Sequence, residues 1–183
     1  MIQPDSKFRK IWDIPLLAVT ILAAIEIPLS IVFQEMLHTL TIVSLWIIVV
    51  VYIADIVLYF YTAIYYQGKV VTDKAVIARE YLRSWFAVDV IAALPIGIIL
   101  FYLDFPPGSY IYLLKLLVLL KLMRVSRTLQ RIGGTNINPA ILRLFLLVFW
   151  ILLAAHIIAC GWMFIRGLSD VSPATRYIRA FYW

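Results

Sequence analysis

Charged side chains are scarce in this chain: only 14% of its 183 residues are Asp, Glu, Lys or Arg, against about 25% in an ordinary soluble domain. With 64% hydrophobic residues, that shortage excludes a single water-soluble core. Cysteine is almost absent, and the lone Cys160 rules out an internal disulfide framework and a four-cysteine zinc site. A nucleophile beside a base, a glycine-rich phosphate loop and a metal-ligand constellation are missing as well, so an enzymatic reading has no residues to carry it. No internal repeat supports an inverted-repeat transporter. The first apolar run is too long for a cleavable leader and lacks a small-residue cleavage pattern.

What the chain has instead is five long apolar runs: Ile14 to Phe33, Thr41 to Tyr66, Ser84 to Leu103, Tyr110 to about Arg131, and Ala140 to Ile165. A helix crosses the hydrocarbon layer in about 20 residues, and only helices satisfy the backbone of separate spans in lipid. The expected fold is therefore an all-α membrane protein. Gly68, Gly108, Gly133, Gly134 and Gly167 punctuate the runs.

Basic residues set the orientation. Eleven fall on one side: Lys7, Arg9 and Lys10, then Lys69, Lys74, Arg79 and Arg83, then Arg124, Arg127, Arg131 and Arg143. Three fall on the other, Arg166, Arg176 and Arg179, in a segment that can fold back into the protein. The amino terminus is expected in the cytoplasm of a multi-pass cell-membrane protein. The net charge of +6 is thereby mostly accounted for, and nucleic-acid binding is not needed to explain it.

Each of the first three runs holds an acid, Glu26, Asp55 and Asp89. An ionised group at the bilayer centre costs about 2.5–3.5 kcal/mol on insertion scales, so it faces protein or water and has a partner. The fourth run supplies partners. In YIYLLKLLVLLKLMRVSRTLQR, Lys115, Lys121, Arg124 and Arg127 lie on a grid of three with Val118 as the missing tooth, and Arg131 follows one step out of phase. On an α-helix a step of three turns back about 60° and makes a spiral; on a 3₁₀-helix the same residues eclipse into a line. By depth, Lys115 matches Glu26, and the lower basic residues match Asp55 and Asp89. Packing needs one or two ion pairs, whereas a periodic ladder lets a helix move from one acid to the next at little cost. One charge moved through 100 mV is worth about 2.3 kcal/mol, so the pattern points to a voltage-sensor fold.

Tyr52, three residues before Asp55, shares its helical face and reads either as an aromatic plug beside the passing bases or as core packing. In the fifth run His156 reads as a buried, hydrogen-bonded side chain ahead of a proton-sensitive site, and Cys160 as a small packed residue. Tyr177, Phe181, Tyr182 and Trp183 are either a brace at a pore entrance or an interfacial aromatic belt.

Several stretches together resemble the transmembrane part of the cyclic-nucleotide-gated channel superfamily, with its hyperpolarisation-activated and ether-à-go-go-type members. They are Arg9 to Asp13 (RKIWD), Ala24 to Pro28 (AIEIP), Ala54 to Ala63 (ADIVLYFYTA), Gly68 to Asp73 (GKVVTD), Tyr81 to Pro95 (YLRSWFAVDVIAALP), the ladder, and Ala154 to Ile165 (AAHIIACGWMFI). The resemblance implies a voltage-gated-like cation channel, with a compact prokaryotic member as the expectation. Its implied plan is a cytoplasmic segment at 1–13, a four-helix voltage-sensor-like domain at 14–131, a linker at 132–139, the first pore-domain helix at 140–167, and the turret with the start of a re-entrant pore helix at 168–183. It further implies a homotetramer in the lipid bilayer conducting monovalent cations such as K+. No cofactor is expected in this chain; cyclic nucleotide (cAMP or cGMP) is expected to bind a carboxyl-terminal domain which, like the selectivity filter, is expected beyond Trp183. The short connector Ile132 to Asn138 predicts that the sensor docks beside its own pore helix, without a domain swap. Rival readings are the sensor module of a membrane enzyme, a self-contained proton-conducting sensor, and a secondary transporter.

Overall fold

The computed structural model describes residues 1–4, 6–33, 38–66, 69–103, 105–106, 109–125, 128–129, 138–166 and 172–182, without the side chains of 38–41, 124 and 139. Helix α1 (Lys7–Val32) starts seven residues ahead of the apolar run that begins at Ile14. Ser6 explains the early start: its Oγ accepts from Arg9 N at 3.3 Å and its carbonyl from Lys10 N at 3.1 Å, as an N-cap does. Pro15 and Pro28 sit inside α1 without ending it, as prolines do in helices whose neighbours re-satisfy the backbone.

Helix α2 (His38–Phe60) stops before the second apolar run does, and the remainder enters a small antiparallel hairpin, β1 (Ile64–Tyr66) with β2 (Lys69–Val71), pairing Tyr65 with Val70. This hairpin departs from an otherwise all-α architecture. The first residues of the chain clasp the same stretch: Ile2 N donates to Tyr61 O, and Ala63 N to Ile2 O, both at 2.9 Å.

Helix α3 (Lys74–Ser84) is capped by Asp73, whose carboxylate accepts from Ala75 N at 2.8 Å. At Trp85 the chain bends by 68° into α4 (Phe86–Ala93) and α5 (Ile96–Tyr102). The third run is thus not one helix. Pro95 disfavours the helical region for the residue before it, and Leu94 is extended at φ −61° and ψ 133°.

The fourth run is a 3₁₀-helix over Tyr110–Arg124, 15 residues long, where such stretches rarely exceed three or four. Helix α6 (Pro139–Arg166) opens on a proline, the residue best suited to the first helical position, and Asn138 Oδ1 accepts from Ala140 N at 2.9 Å. Helix α7 (Pro173–Phe181) is capped by Ser172 and packs against α6. Among the described residues three stretches, Lys7–Val32, Ile42–Phe60 and Ala140–Arg166, are long and apolar enough to cross a membrane; α3 with the bent segment after it makes a fourth, broken candidate. Exposed Ile53 and Val57 on α2, and Leu147, Ile151 and Ile158 on α6, fit a lipid surround.

The chain forms two compact units. The first gathers Met1–Ile21, Ile47–Leu94 and Leu117–Gly134; the second gathers Leu22–Trp46, Pro95–Leu116 and Thr135–Trp183. In the first, Tyr81 stacks on Tyr59 with ring centroids 4.0 Å apart, and Phe60 and Phe86 meet it edge-on. In the second, Ile31, Leu100 and Tyr112 form a core flanked by Ile96, Phe105 and Phe164. Gly97 there permits a close approach, since a Cβ would stand 2.9 Å from Leu45 Cδ1.

Candidate functional site

The 3₁₀ geometry decides how the basic ladder is displayed. At three residues per turn, Tyr112, Lys115, Val118 and Lys121 eclipse, and these four are buried, at 8%, 7%, 4% and 2% exposure. Leu113, Leu114 and Leu117 between them and Met123 just beyond are exposed, while Leu122 beside Lys121 is buried. The stripe is a line rather than a spiral, and two lysines lie on it. Holding a lysine ammonium inside protein requires partners, which the two units supply differently.

In the first unit Lys121 Nζ lies 3.0 Å from Asp55 Oδ2 and 3.0 Å from Asp89 Oδ1. The face of Tyr52 is its third wall, with Nζ 4.9 Å from the ring centroid. Tyr52 is fully buried and donates its hydroxyl to Thr20 Oγ1 at 3.3 Å, so the ring is at once a packed core residue and a surface for the cation. Asp89, on α4, accepts from Tyr81 OH on α3 at 2.7 Å. The bend at Trp85 therefore folds α3 back so that Tyr81 reaches the acid eight residues later.

Asp55 has a second cation. Arg9 Nη2 on α1 lies 2.9 Å from Asp55 Oδ1, and Arg9 Nε lies 3.3 Å from Asp13 Oδ1 one turn on. Asp13, Asp55 and Asp89 are wholly buried and Arg9 nearly so. Pairing offsets part of the desolvation cost of these charges, while Arg9 Nη1 is buried without a hydrogen-bond partner among the described residues. A cavity of about 100 Å³ lies alongside, lined by Arg9, Asp55, Lys121, Tyr59, Trp85 and Thr128 among others.

The second unit treats its ionisable groups otherwise. Glu26 accepts a short hydrogen bond from Ser44 Oγ. Lys115 Nζ stands 5.1 Å from the Tyr112 ring centroid and lies in the field of Glu26. His156 on α6 joins three helices, with Nε2 3.0 Å from Ile25 O on α1 and Nδ1 2.7 Å from Tyr177 OH on α7. A carbonyl only accepts, so Nε2 carries the proton and Nδ1 accepts from the tyrosine hydroxyl. Cys160 is buried one turn away, its Sγ 3.9 Å from His156 Nε2. Phe181 packs on Tyr177 with ring centroids 5.9 Å apart, and Tyr182 is exposed.

Of the basic ladder, then, the structure places Lys115 and Lys121. The side chain of Arg124, together with Arg127, Arg131, Trp183 and the connector at 132–137, lies outside the described residues. Arg9, Asp13 and Tyr81 belong to the site although the sequence reading gave them no role in it. Arg9 was counted as a loop charge because the apolar run begins at Ile14; its spacing of four from Asp13 was the available signal. Tyr81 gave none, since a bend separates it from Asp89.

Residues 9–180 match the family described as ion transport protein. The chain is 36% identical over 177 residues to the potassium voltage-gated channel protein eag of Drosophila melanogaster, covering 93% of this chain and 14% of that protein. It is 32% identical over 184 residues to the voltage-gated delayed rectifier potassium channel KCNH1 of Rattus norvegicus, covering 96% and 18%. It is 34% identical over 179 residues to the voltage-gated inwardly rectifying potassium channel KCNH7 of Mus musculus, covering 90% and 15%. The chain thus spans less than a fifth of the length of these relatives.

Proposed function

The chain belongs to the ion transport protein family, and from that membership and the buried charge cluster we propose that it is the transmembrane part of one subunit of a voltage-modulated, potassium-conducting channel. Residues 14–131 are the voltage sensor, α6 is the first pore-domain helix, and α7 begins the pore helix. The observation that carries this reading is Lys121 held between Asp55 and Asp89 over Tyr52, on a straight stripe with a period of three.

A 3₁₀ stripe suits a moving charge carrier. Three residues advance about 6 Å along a 3₁₀-helix and bring the next tooth to the same place without rotation. An α-helix would advance about 4.5 Å and have to turn about 60°. A cation that leaves the pair of acids can therefore be replaced by the next one through simple translation. Each elementary charge carried through 100 mV contributes about 2.3 kcal/mol to the balance between positions.

Potassium as the conducted ion is supported by the identity of the relatives, which are named as potassium channels. Those names include both a delayed and an inward rectifier over the same region, so the sense of rectification is not carried over. We place the amino terminus in the cytoplasm, since ten basic residues still oppose three when buried Arg9 is left out of the count. The whole protein is a homotetramer around a central pore, each sensor beside its own subunit's pore helix, with cAMP or cGMP acting on a carboxyl-terminal domain.

The test is Lys121→Gln in the complete channel, read as conductance against voltage. The expected result is a displaced midpoint with a shallower slope. An unchanged midpoint and slope would show the cluster to be a structural clamp and overturn the reading.

A further inference from the structure

We propose that Arg9 is a resident counter-cation that competes with Lys121 for Asp55, and so sets how firmly the sensor is held in this position. The inference rests on the voltage-sensor reading above and adds to it a residue outside the fourth helix. Asp55 is shared between two cations, one on each oxygen: Arg9 Nη2 at Oδ1, 2.9 Å, and Lys121 Nζ at Oδ2, 3.0 Å. Each neutralises part of the carboxylate charge that holds the other, and the two like charges repel across it at short range in a poorly screened interior.

The two cations differ in freedom to move. Arg9 projects from the first turn of α1, where it is also tied to Asp13 at 3.3 Å. The chain just ahead of it is clasped by Ile2 to the stretch that follows α2, the helix carrying Asp55, through hydrogen bonds to Tyr61 and from Ala63. Arg9 and Asp55 are therefore fixed to one another by backbone as well as by charge. Lys121 belongs to the straight stripe that the proposed function sets in motion. A cavity of about 100 Å³ lies beside Arg9, Asp55 and Lys121, so the cluster is not packed solid on that side.

The competition has a sign that a plain clamp lacks. Replacing Arg9 by Gln leaves Asp55 more negative, and the compact ammonium of Lys121 gains more from that than the delocalised guanidinium of the next tooth, Arg124, would, so the position seen here becomes more populated. Replacing Asp55 by Asn removes one of the two acids holding Lys121, so the same position becomes less populated. Arg9→Gln and Asp55→Asn must then displace the conductance–voltage midpoint in opposite directions, whichever direction opens the channel. If Arg9 only bolts α1 to α2, both substitutions loosen the same joint and displace it in the same direction.

The experiment is the midpoint of conductance against voltage for Arg9→Gln, Arg9→Lys and Asp55→Asn in the complete channel, with Lys121→Gln alongside. The expected Arg9→Gln change is about tenfold in the equilibrium between positions, within the range of couplings between contacting residues. Arg9→Lys should shift the midpoint in the same sense by less, because one ammonium cannot serve Asp13 and Asp55 together as a guanidinium fork does. If Arg9→Gln fails to reach the membrane, the sign is read from Arg9→Lys. Shifts of the same sign as Asp55→Asn, or no shift in either Arg9 variant, overturn the proposal. If Lys121→Gln and Asp55→Asn are both silent, the voltage-sensor reading itself fails, and that result is distinguishable from the first.

Discussion

The two compact units of this chain solve the same problem, an ionisable side chain inside an apolar protein, by different chemistry. The first binds Arg9, Asp13, Asp55, Asp89 and Lys121 into one set of ion pairs, none longer than 3.3 Å. In the second, with Lys115 in the field of Glu26, the close contacts come from neutral hydroxyls and an aromatic face: Ser44 on Glu26, the Tyr112 ring near Lys115, and Tyr177 on His156. Ion pairs can exchange one cation for another at similar energy, so the first unit is built for substitution. A hydroxyl facing an imidazole that serves a carbonyl has one satisfied arrangement, so the second unit is built for registration.

Stability measurements can break this comparison. The largest effect is expected from Asp55→Asn, which leaves Arg9 and Lys121 buried with a partner lost and should cost about 3–5 kcal/mol, read as the unfolding midpoint in detergent micelles. Glu26→Gln in the second unit keeps an acceptor for Ser44 and should cost about 1 kcal/mol; equal costs for the two acids would erase the distinction. Tyr81→Phe removes the donor to Asp89 and should cost about 2 kcal/mol, as a hydrogen bond to a charged group does. An effect as small as that of Glu26→Gln is expected from Tyr177→Phe, about 1 kcal/mol for a neutral hydrogen bond, with the conductance–voltage midpoint unmoved. A large midpoint shift in Tyr177→Phe would carry the voltage-dependent motion into α6 and α7.

Hydropathy located the helices but not their ends. α1 starts early because Ser6 caps it and Arg9 pairs within it, and a hydropathy count treats both charges of that pair as boundary. The third run breaks because Pro95 constrains Leu94, a cue present in the sequence and passed over because the apolar run continues through it. The spacing of three left an α spiral and a 3₁₀ line equally open, since the same residues serve both; the burial of Tyr112, Lys115, Val118 and Lys121 decides for the line. Asp55, Asp89 and Lys121 were legible because charge is conspicuous among leucines. Tyr81 was not, because the 68° bend at Trp85 that brings it to Asp89 leaves no periodic trace.

Val118 occupies a tooth of the straight stripe that the other positions give to a cation or an aromatic, and it is buried like its neighbours. In the proposed movement, travel in one direction replaces Lys121 with the next tooth, Arg124. Travel in the other sets a valine against Asp55 and Asp89, two wholly buried carboxylates that an isopropyl group can neither neutralise nor solvate. The proposed movement would then have an end stop on the Val118 side. In that proposal the position with Lys121 between the acids is the last rung before it, and charge would be carried on the Arg124 side.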